Sequence, residues 1–406
     1  MSLAEIPILL ILFGLAAYVV LGGADFGAGF WELTARGEGA ERLRDHTHRA
    51  MAPVWEANHV WLVFVLVICW TAYPEAFGSI FSTLAAPLLL AALGIVLRGA
   101  GYVVRSVGET RWGFGLFSVS SVLTPFALGA AIGGIASGRV PVGNAEGDLI
   151  SSWLNPTSML IGVLAVAFSA YTAAVFLAGD AARRGDRSLV GAFRGRAVVA
   201  GAVAGLLALG GLAVLHGDAE HLYEGLTEGA GLAAVLVSAL AGIATLFLVR
   251  AERFEPARYT AAVAVAAIVA GWGLAQSPEI LPGLTITEAA ASRSTLVATL
   301  LSVAVGLAVL LPSLSLLFGL TLRGRFDPGA AREEAAPAAG GARARPPAEL
   351  AFTVAAGAVG AALTFLLEGG IAQAIGIVAL LAAVGWGFVL LADPRRLTGA
   401  EGPEAS

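Results

Sequence analysis

A succession of long apolar runs limits what this 406-residue chain can fold into. A helix needs roughly 20 predominantly apolar residues to cross the hydrocarbon core of a bilayer. Eleven runs of about that length follow one another along the sequence. They cover approximately residues 5–30, 53–72, 76–98, 113–136, 153–178, 194–216, 230–249, 258–276, 294–321, 350–367 and 371–392. The pattern therefore predicts an all-α polytopic membrane protein with about eleven transmembrane helices.

Composition agrees with this class and excludes others. Hydrophobic residues make up 58% of the chain and charged residues only 13%, about half the charged fraction of an ordinary soluble domain. The net charge of −5 is spread over the connections and forms no acidic block, so no nucleic-acid partner is expected. The one cysteine, Cys69, lies inside an apolar run, which leaves no disulfide within the chain and no cysteine-based metal site.

The distribution of arginine predicts the orientation of the chain. All 24 basic residues are arginine, and the connections between successive runs carry four, zero, three, one, five, zero, three, one, five and zero of them, with two in the tail. Basic residues concentrate on the cytoplasmic side of membrane proteins. We therefore expect the N-terminus outside and the C-terminus in the cytoplasm. The first run lacks a basic leader and a small-residue cleavage site, so it is expected to be a retained helix and not a signal peptide.

A change of composition divides the chain into segments. Residues 323–349 are rich in Ala, Pro, Gly and charge and have no apolar periodicity, which is typical of a flexible linker. This predicts a nine-helix membrane domain over residues 1–322 and a cytoplasmic linker over 323–349. An appended transmembrane hairpin over 350–393 and a cytoplasmic tail over 394–406 would follow.

Three ionisable residues are expected at one depth. With the predicted orientation, Asp25, Glu56 and Arg98 all fall at the cytoplasmic edge of the first three helices. Charged groups near a bilayer usually face protein or water and pair with one another. The carboxylates could merely neutralise Arg98, or the three could form a proton entry or a subunit contact, because two carboxylates around one guanidinium can hold a proton. Position alone leaves both interpretations open.

The stretch MAPVWEANHVWL extends this polar group along the second helix. Asn58 and Trp61 follow Trp55 at helical spacing on one face. Trp55 fits an interfacial anchor, whereas Trp61 lies deeper than an anchor requires. His59 raises the question of a haem ligand, but the sequence offers no second histidine at a matched depth in a facing helix. We therefore expect His59 to be a hydrogen-bonded packing or interface residue.

Small residues surround the first aspartate. Gly22, Gly23, Gly27 and Gly29 flank Asp25, and glycine in a membrane helix usually permits close approach of another helix. These positions are therefore expected to pack helices and not to carry chemistry.

These stretches together resemble subunit II of the cytochrome bd-type quinol oxidases. The resemblance is carried by GGADFGAGF in the first run, APVWEANHVWL in the second and PLLLAALGIVLRG, which ends just after Arg98. It continues through ETRWGFGLFSVSSVLTPFALGAAIGG, WLNPTSMLIG and QSPEILPGLTITEAAASRSTL. In order and spacing, these stretches cover roughly residues 5 to 325.

The resemblance implies a fold and a set of partners. The fold is two four-helix bundles plus a peripheral helix, to which this chain adds its C-terminal hairpin. The expected complex lies in the bacterial cytoplasmic membrane and oxidises quinol while reducing oxygen. Its haem-bearing subunit I carries haems b and d, so this chain is expected to bind no haem and no metal and to hold no catalytic residue. Membrane lipids, quinone and small accessory subunits are further expected partners.

The resemblance also implies roles for single residues. Glu56 matches the acidic residue of the second-helix motif, Asp25 the first-helix aspartate and Trp61 the second tryptophan. Glu56, with Asp25, Asn58 and Arg98, is then expected in a proton path or subunit contact. Trp61 is expected to line an oxygen entry, and Trp55 and His59 to serve in an interface or in packing.

Two other function classes compete with this interpretation. A secondary transporter would use Asp25, Glu56 and Arg98 as a coupling site, which such proteins place near mid-membrane beside broken helices. The expected position of the three at the cytoplasmic edge disfavours that class. A purely structural subunit of a related quinol-oxidising complex would have no proton role, and the sequence leaves that alternative open.

Overall fold

The protein is built almost entirely from helices. The computed structural model describes residues 2–51, 55–107 and 111–322, together with isolated positions between 355 and 383. The chain divides into two compact units, Met1–Leu300 and Leu301–Ser406, and the last helix crosses that boundary. A 3₁₀ turn at Leu3–Glu5 precedes helices α1 Ile6–Thr34, α2 Ala40–Met51, α3 Trp55–Ala72, α4 Pro74–Thr83, α5 Ala85–Val107, α6 Arg111–Ala136, α7 Pro156–Arg183, α8 Arg187–Asp218, α9 Glu220–Thr227, α10 Gly229–Arg250, α11 Phe254–Gln276, α12 Ile286–Ala289 and α13 Arg293–Leu322. Two short antiparallel strands, β1 Glu279–Leu281 and β2 Leu284–Thr285, form a hairpin before α12.

Eight of the helices in the described part of the chain are long and apolar enough to cross a membrane. They are α1, α5, α6, α7, α8, α10, α11 and α13, and α3 contributes a shorter apolar stretch, Asn58–Ala72. The predicted class, an all-α polytopic membrane protein, is confirmed. The total of eleven helices and the orientation stay predictions. The described residues exclude the predicted linker and tail. They also exclude all but isolated positions of the predicted hairpin.

The region expected to be the third membrane run is two helices. The sequence predicts a turn at Pro74 and Gly78 and then one span over residues 76–98. Instead Pro74 occupies the first turn of α4, where its missing N–H is not needed. The helical path breaks at Leu84, and α5 then continues to Val107, well beyond the expected end. Because the apolar run is unbroken in the sequence, its length predicted one helix where the structure has two.

Ion pairs show which connections lie at the same end of the first unit. At one end, Arg42 of α2 pairs with Asp186 before α8 at 2.6 Å, and Arg183 of α7 pairs with Glu255 of α11 at 2.8 Å. At the other end, Arg139 after α6 pairs with Asp218 of α8 at 2.6 Å. The arginine-rich connections α1–α2, α7–α8 and α10–α11 therefore meet at one end, which we call the arginine-rich end.

Side-chain caps fix where two of the long helices begin. Asn155 accepts a hydrogen bond from the Ser158 N–H at 2.9 Å at the start of α7, and Asp186 accepts one from the Leu189 N–H at 3.2 Å at the start of α8. Each side chain satisfies a backbone donor that has no partner within its helix. These two side-chain hydrogen bonds therefore help to determine where α7 and α8 begin.

Helix α7 is the centre of the packing, with α1, α6 and α8 around it. Its buried face consists mostly of alanine and other small residues. A Cβ on Gly27 of α1 would overlap the Ser169 carbonyl oxygen of α7, and a Cβ on Gly133 of α6 would meet the Ser158 Cα. The backbones of α1 and α6 therefore lie directly against α7, as small-residue faces in membrane helices allow.

Replacing Gly27 tests this contact. Gly27→Ala is expected to lower stability by roughly 1–3 kcal/mol, the usual cost of overpacking, because the added methyl meets backbone and not a side chain that can move. The thermal unfolding midpoint of the purified protein is the measurement. Gly205→Ala in α8 is the matched control, since nothing lies within 4 Å of its added Cβ. Equal midpoints for the two variants would contradict the backbone contact.

A short amphipathic helix, α2, packs on α7 at the arginine-rich end. His46 of α2 is buried, and its Nε2 lies 3.3 Å from the Leu177 carbonyl oxygen and 3.7 Å from Asp180 Oδ2. Its ring packs against Phe193 of α8, with 5.6 Å between ring centroids. Burial lowers the pKa of His46, while the Leu177 carbonyl and the Asp180 carboxylate oppose that shift. The sequence around His46 carries no signal for this burial, because the burial depends on how α2 packs on α7.

The lowered pKa of His46 predicts a pH dependence of stability. A histidine whose pKa falls on folding stabilises the protein above its ordinary pKa of about 6.5, and that contribution is lost as the pH falls below this value. His46→Gln should therefore flatten the decline of the unfolding midpoint between pH 7.5 and pH 5. His221→Gln removes an exposed histidine and should keep the wild-type slope. A wild-type slope in His46→Gln would refute the assignment.

Candidate functional site

A buried ion pair joins the first helix to the fifth. Asp25 of α1 and Arg98 of α5 are 1% and 0% exposed, and Arg98 Nε donates to Asp25 Oδ2 at 2.7 Å. The same guanidinium donates from a terminal nitrogen to the backbone carbonyl of Asp25, also at 2.7 Å. Two charge-assisted hydrogen bonds thus hold one guanidinium against one residue of the neighbouring helix.

Neighbouring groups complete the coordination of this pair. The remaining terminal nitrogen of Arg98 donates to Ser121 Oγ of α6 at 2.8 Å, and Tyr102 donates its hydroxyl proton to Asp25 Oδ1 at 3.2 Å. The guanidinium carbon lies 4.9 Å from the ring centroid of Phe26 and 4.2 Å from that of Phe117. All three guanidinium nitrogens and both carboxylate oxygens therefore have partners, and aromatic faces surround the cation.

This arrangement compensates the high cost of burying two charges. Removing a carboxylate and a guanidinium from water is unfavourable unless each keeps a full set of hydrogen bonds. Since the partners come from α1, α5 and α6, the ion pair also fixes the relative positions of these helices. We name Asp25, Arg98, Tyr102 and Ser121 the ion-pair cluster.

The structure brings together two of the three ionisable residues that the sequence placed at one depth. Both residues lie well inside their helices, because α1 continues nine residues past Asp25 to Thr34 and α5 continues nine past Arg98 to Val107. Their depth at the cytoplasmic edge of the membrane stays a prediction. At 1.5 Å per residue, each charge lies about 13 Å inside its helix end. Beyond Asp25, Gly27, Ala28 and Gly29 are buried against neighbouring helices.

The second-helix motif packs beside this cluster. Asn58 of α3 donates to the Leu21 carbonyl oxygen at 3.2 Å, and the Tyr18 hydroxyl lies 3.4 Å from His59 Nδ1. The His59 ring is 5.9 Å from the ring of Phe26, whose other contact is the guanidinium. Asn58 and His59 therefore both contact α1.

Trp61 is the tryptophan of the motif whose side chain the structure describes. Trp61 is partly exposed and makes edge-to-face contacts with Phe13 at 5.6 Å and Phe64 at 6.3 Å. The backbones of Trp55 and Glu56 belong to the first turn of α3, but their side chains lie outside the described part of the structure.

Sequence reasoning missed several members of this region. Tyr102 follows Arg98 by one helical turn, and Glu32, fully buried, follows Asp25 by two turns on the same face of α1. These spacings of four and seven residues were available as signals. Ser121 was not predictable in this way, because its role depends on which helices are neighbours. Among the described residues, no group of three or more His, Cys, Asp or Glu side chains could hold a metal ion.

The energy of the pair can be measured with a double-mutant cycle. Arg98→Gln alone leaves a buried carboxylate without its cation and should cost about 3–5 kcal/mol of stability. Asp25→Asn with Arg98→Gln removes both charges and keeps polar groups, so it should be less destabilising than the sum of the single changes. Arg42→Gln breaks an exposed pair with Asp186 and should cost less than about 1 kcal/mol. Additive single effects would show that the two charges do not depend on each other.

Comparison with known proteins covers the region that contains this cluster. The family model for cytochrome bd terminal oxidase subunit II matches residues 3–321. Subunit 2 of cytochrome bd-I ubiquinol oxidase from Escherichia coli strain K12 is 28% identical over 176 residues, which cover 40% of this chain and 45% of that protein. Subunit 2 of a cytochrome bd ubiquinol oxidase from Bacillus subtilis strain 168 is 26% identical over 171 residues, 40% of this chain and 49% of that protein. These alignments thus span about half the length of the curated relatives.

A solved structure is similar over a longer part of the chain. A chain in the structure of bd oxidase from Geobacillus thermodenitrificans is similar with a TM-score of 0.63 and 26% identity. The similarity covers 79% of this chain and 99% of that chain. The family model, for its part, spans more than three quarters of this chain and includes every member of the ion-pair cluster. The protein therefore belongs to the cytochrome bd terminal oxidase subunit II family.

Proposed function

We propose that this protein is subunit II of a cytochrome bd-type quinol oxidase. In this proposal a haem-bearing subunit I, with haems b and d, oxidises quinol and reduces oxygen, and the present chain binds no haem. The observation that carries the proposal is the family match over residues 3–321, supported by the fold similarity along 99% of a bd oxidase chain. Catalysis then belongs to the complex, and this chain supports it.

The proposal includes a location and an orientation. We place the chain in the bacterial cytoplasmic membrane with its arginine-rich end in the cytoplasm, which puts the N-terminus outside. The ion pairs that gather three arginine-rich connections at one end support this orientation. Residues 1–322 would form the nine-helix domain of two four-helix bundles plus a peripheral helix, with residues 350–393 as an appended hairpin.

One face of α3 is suited to contact subunit I. Val60, Val63, Val67 and Trp70 are between 46% and 62% exposed and follow each other at helical spacing. A continuous apolar stripe of this kind suits a large apolar partner surface as well as lipid. Trp61 lies beside this stripe, and we assign it to the lining of an oxygen path from the lipid.

The ion-pair cluster and Glu56 are given different roles. Every polar atom of Asp25 and Arg98 is engaged, so moving a proton through this pair would require it to open. We therefore assign the pair to support of the helix arrangement. Asn58 faces Leu21 across the antiparallel contact between α3 and α1, which puts the backbone of Glu56 near the level of Asp25. Glu56 is the residue we assign to a proton path from the cytoplasm.

Replacing Glu56 separates a proton role from a structural one. Glu56→Gln keeps size and hydrogen-bonding capacity but removes the titratable group. The complex should therefore assemble with normal haem content while turnover falls, by roughly 10²-fold if the residue relays protons. Glu56→Asp should restore part of the turnover, because it restores a carboxyl group at a shorter reach. Quinol-dependent oxygen consumption per haem, with proton uptake in proteoliposomes, is the measurement.

Glu75→Gln is the matched control, because Glu75 is an exposed carboxylate at the other end of the bundle. It should leave turnover unchanged. A fully assembled Glu56→Gln complex that turns over at the wild-type rate would remove Glu56 from the proton path and favour the purely structural subunit. Purification without any haem-bearing partner would instead refute the proposed function itself.

A further inference from the structure

A groove opens between α8 and α10 at the arginine-rich end. It is lined by Arg194, Gly195, Val198 and Val199 of α8 and by Arg250, the last residue of α10. Its volume is about 530 Å³. Gly195 has nothing within 4 Å of the position that a Cβ would occupy, so the groove is open along α8. The groove thus joins two guanidinium groups to an apolar wall.

The charges around this groove do not cancel. Arg187 and Arg194 share a single carboxylate, that of Glu252, at 3.2 Å and 2.7 Å. Within the part of the chain that the structure describes, Arg250 forms no ion pair and is exposed. Arg194 and Arg250 line the groove, and Arg194 shares Glu252 with Arg187, so positive charge is left in excess. An anion is therefore the complementary ligand.

Apolar rows continue from the groove along both helices. Val203, Leu206 and Leu209 of α8 are exposed by 46% to 70%, and Leu240, Ile243 and Phe247 of α10 by 51% to 68%. Their spacings of three and four residues put them on the outer faces of helices long and apolar enough to span a bilayer. A cationic groove at the end of such rows matches a molecule with an anionic head and apolar tails.

We propose that this groove binds the headgroup of an anionic phospholipid, with its acyl chains along the apolar rows of α8 and α10. The lipid phosphate accepts hydrogen bonds from Arg250 and from Arg194, which keeps its bond to Glu252. Gly195 leaves room for the glycerol portion. A free phosphate would use the guanidinium groups but not the apolar rows, so the two sources can be distinguished.

The test measures lipid binding to the full-length protein, with whatever subunits accompany it on purification. Phosphatidylglycerol and phosphatidylcholine retained by the detergent-solubilised protein are quantified by native mass spectrometry. Arg250→Gln should weaken retention of phosphatidylglycerol about fivefold, the effect expected for one interfacial guanidinium, and leave phosphatidylcholine unchanged. Gly195→Leu should weaken it too, by filling the groove without changing the charge. Arg253→Gln, an exposed arginine three residues away that does not line the groove, is the matched control and should behave as wild type.

Three results would overturn the proposal. Equal losses in Arg250→Gln and Arg253→Gln would assign the effect to diffuse surface charge. Equal retention of the two lipids by the wild type would remove the anion selectivity. Thermal stabilisation by glycerol phosphate equal to that by phosphatidylglycerol would indicate a free-anion site. None of these measurements depends on oxidase activity. Their outcome therefore stays interpretable even if the proposed function is refuted.

Discussion

The buried pair between Asp25 and Arg98 is the interaction on which the arrangement of the first unit depends. Two opposite charges inside an apolar bundle are tolerated because each guanidinium nitrogen and each carboxylate oxygen has a hydrogen-bond partner. Those partners come from three helices, so the pair specifies which helices meet and at what height. Small residues allow this arrangement, since at Gly27 the backbone of α1 lies directly against the backbone of α7. The buried ion pair and the close packing of the helices therefore act together to hold this arrangement.

The ion pair and helix α3 differ in their surroundings. The pair is enclosed and fully bonded, whereas α3 presents an apolar stripe outward and carries Glu56 on its first turn. Phe26 connects the two, because its ring contacts both the Arg98 guanidinium and the His59 ring. The second-helix motif and the buried ion pair thus share one neighbouring side chain.

The sequence was sufficient for the fold class, because membrane helices must satisfy their backbone hydrogen bonds internally and so appear as long apolar runs. It also predicted Asp25 and Arg98 at one depth from helix rise and alternating direction, whereas their direct contact came from the structure. The sequence did not predict the break at Leu84, because the residues of α4 and α5 form one apolar run. The burial of His46 and the partnership of Ser121 with Arg98 depend on lateral neighbours, about which periodicity says nothing. Lateral arrangement is thus the part of the fold that a single sequence leaves undetermined.

The backbone contacts made through Gly27 and Gly133 have a mechanical consequence. Contacts between main chains have no rotamers to adjust, so α1, α6 and α7 should respond to force as a single rigid body. Helix α5 also packs closely on α6, because a Cβ on Gly94 would overlap the Thr124 hydroxyl and meet the Thr124 backbone. Arg98 therefore lies on a helix that is held to this group by close packing as well as by the ion pair. A force applied to α5 should reach α1 through α6 as well as through the buried charges, so that a load on one helix is shared by all four.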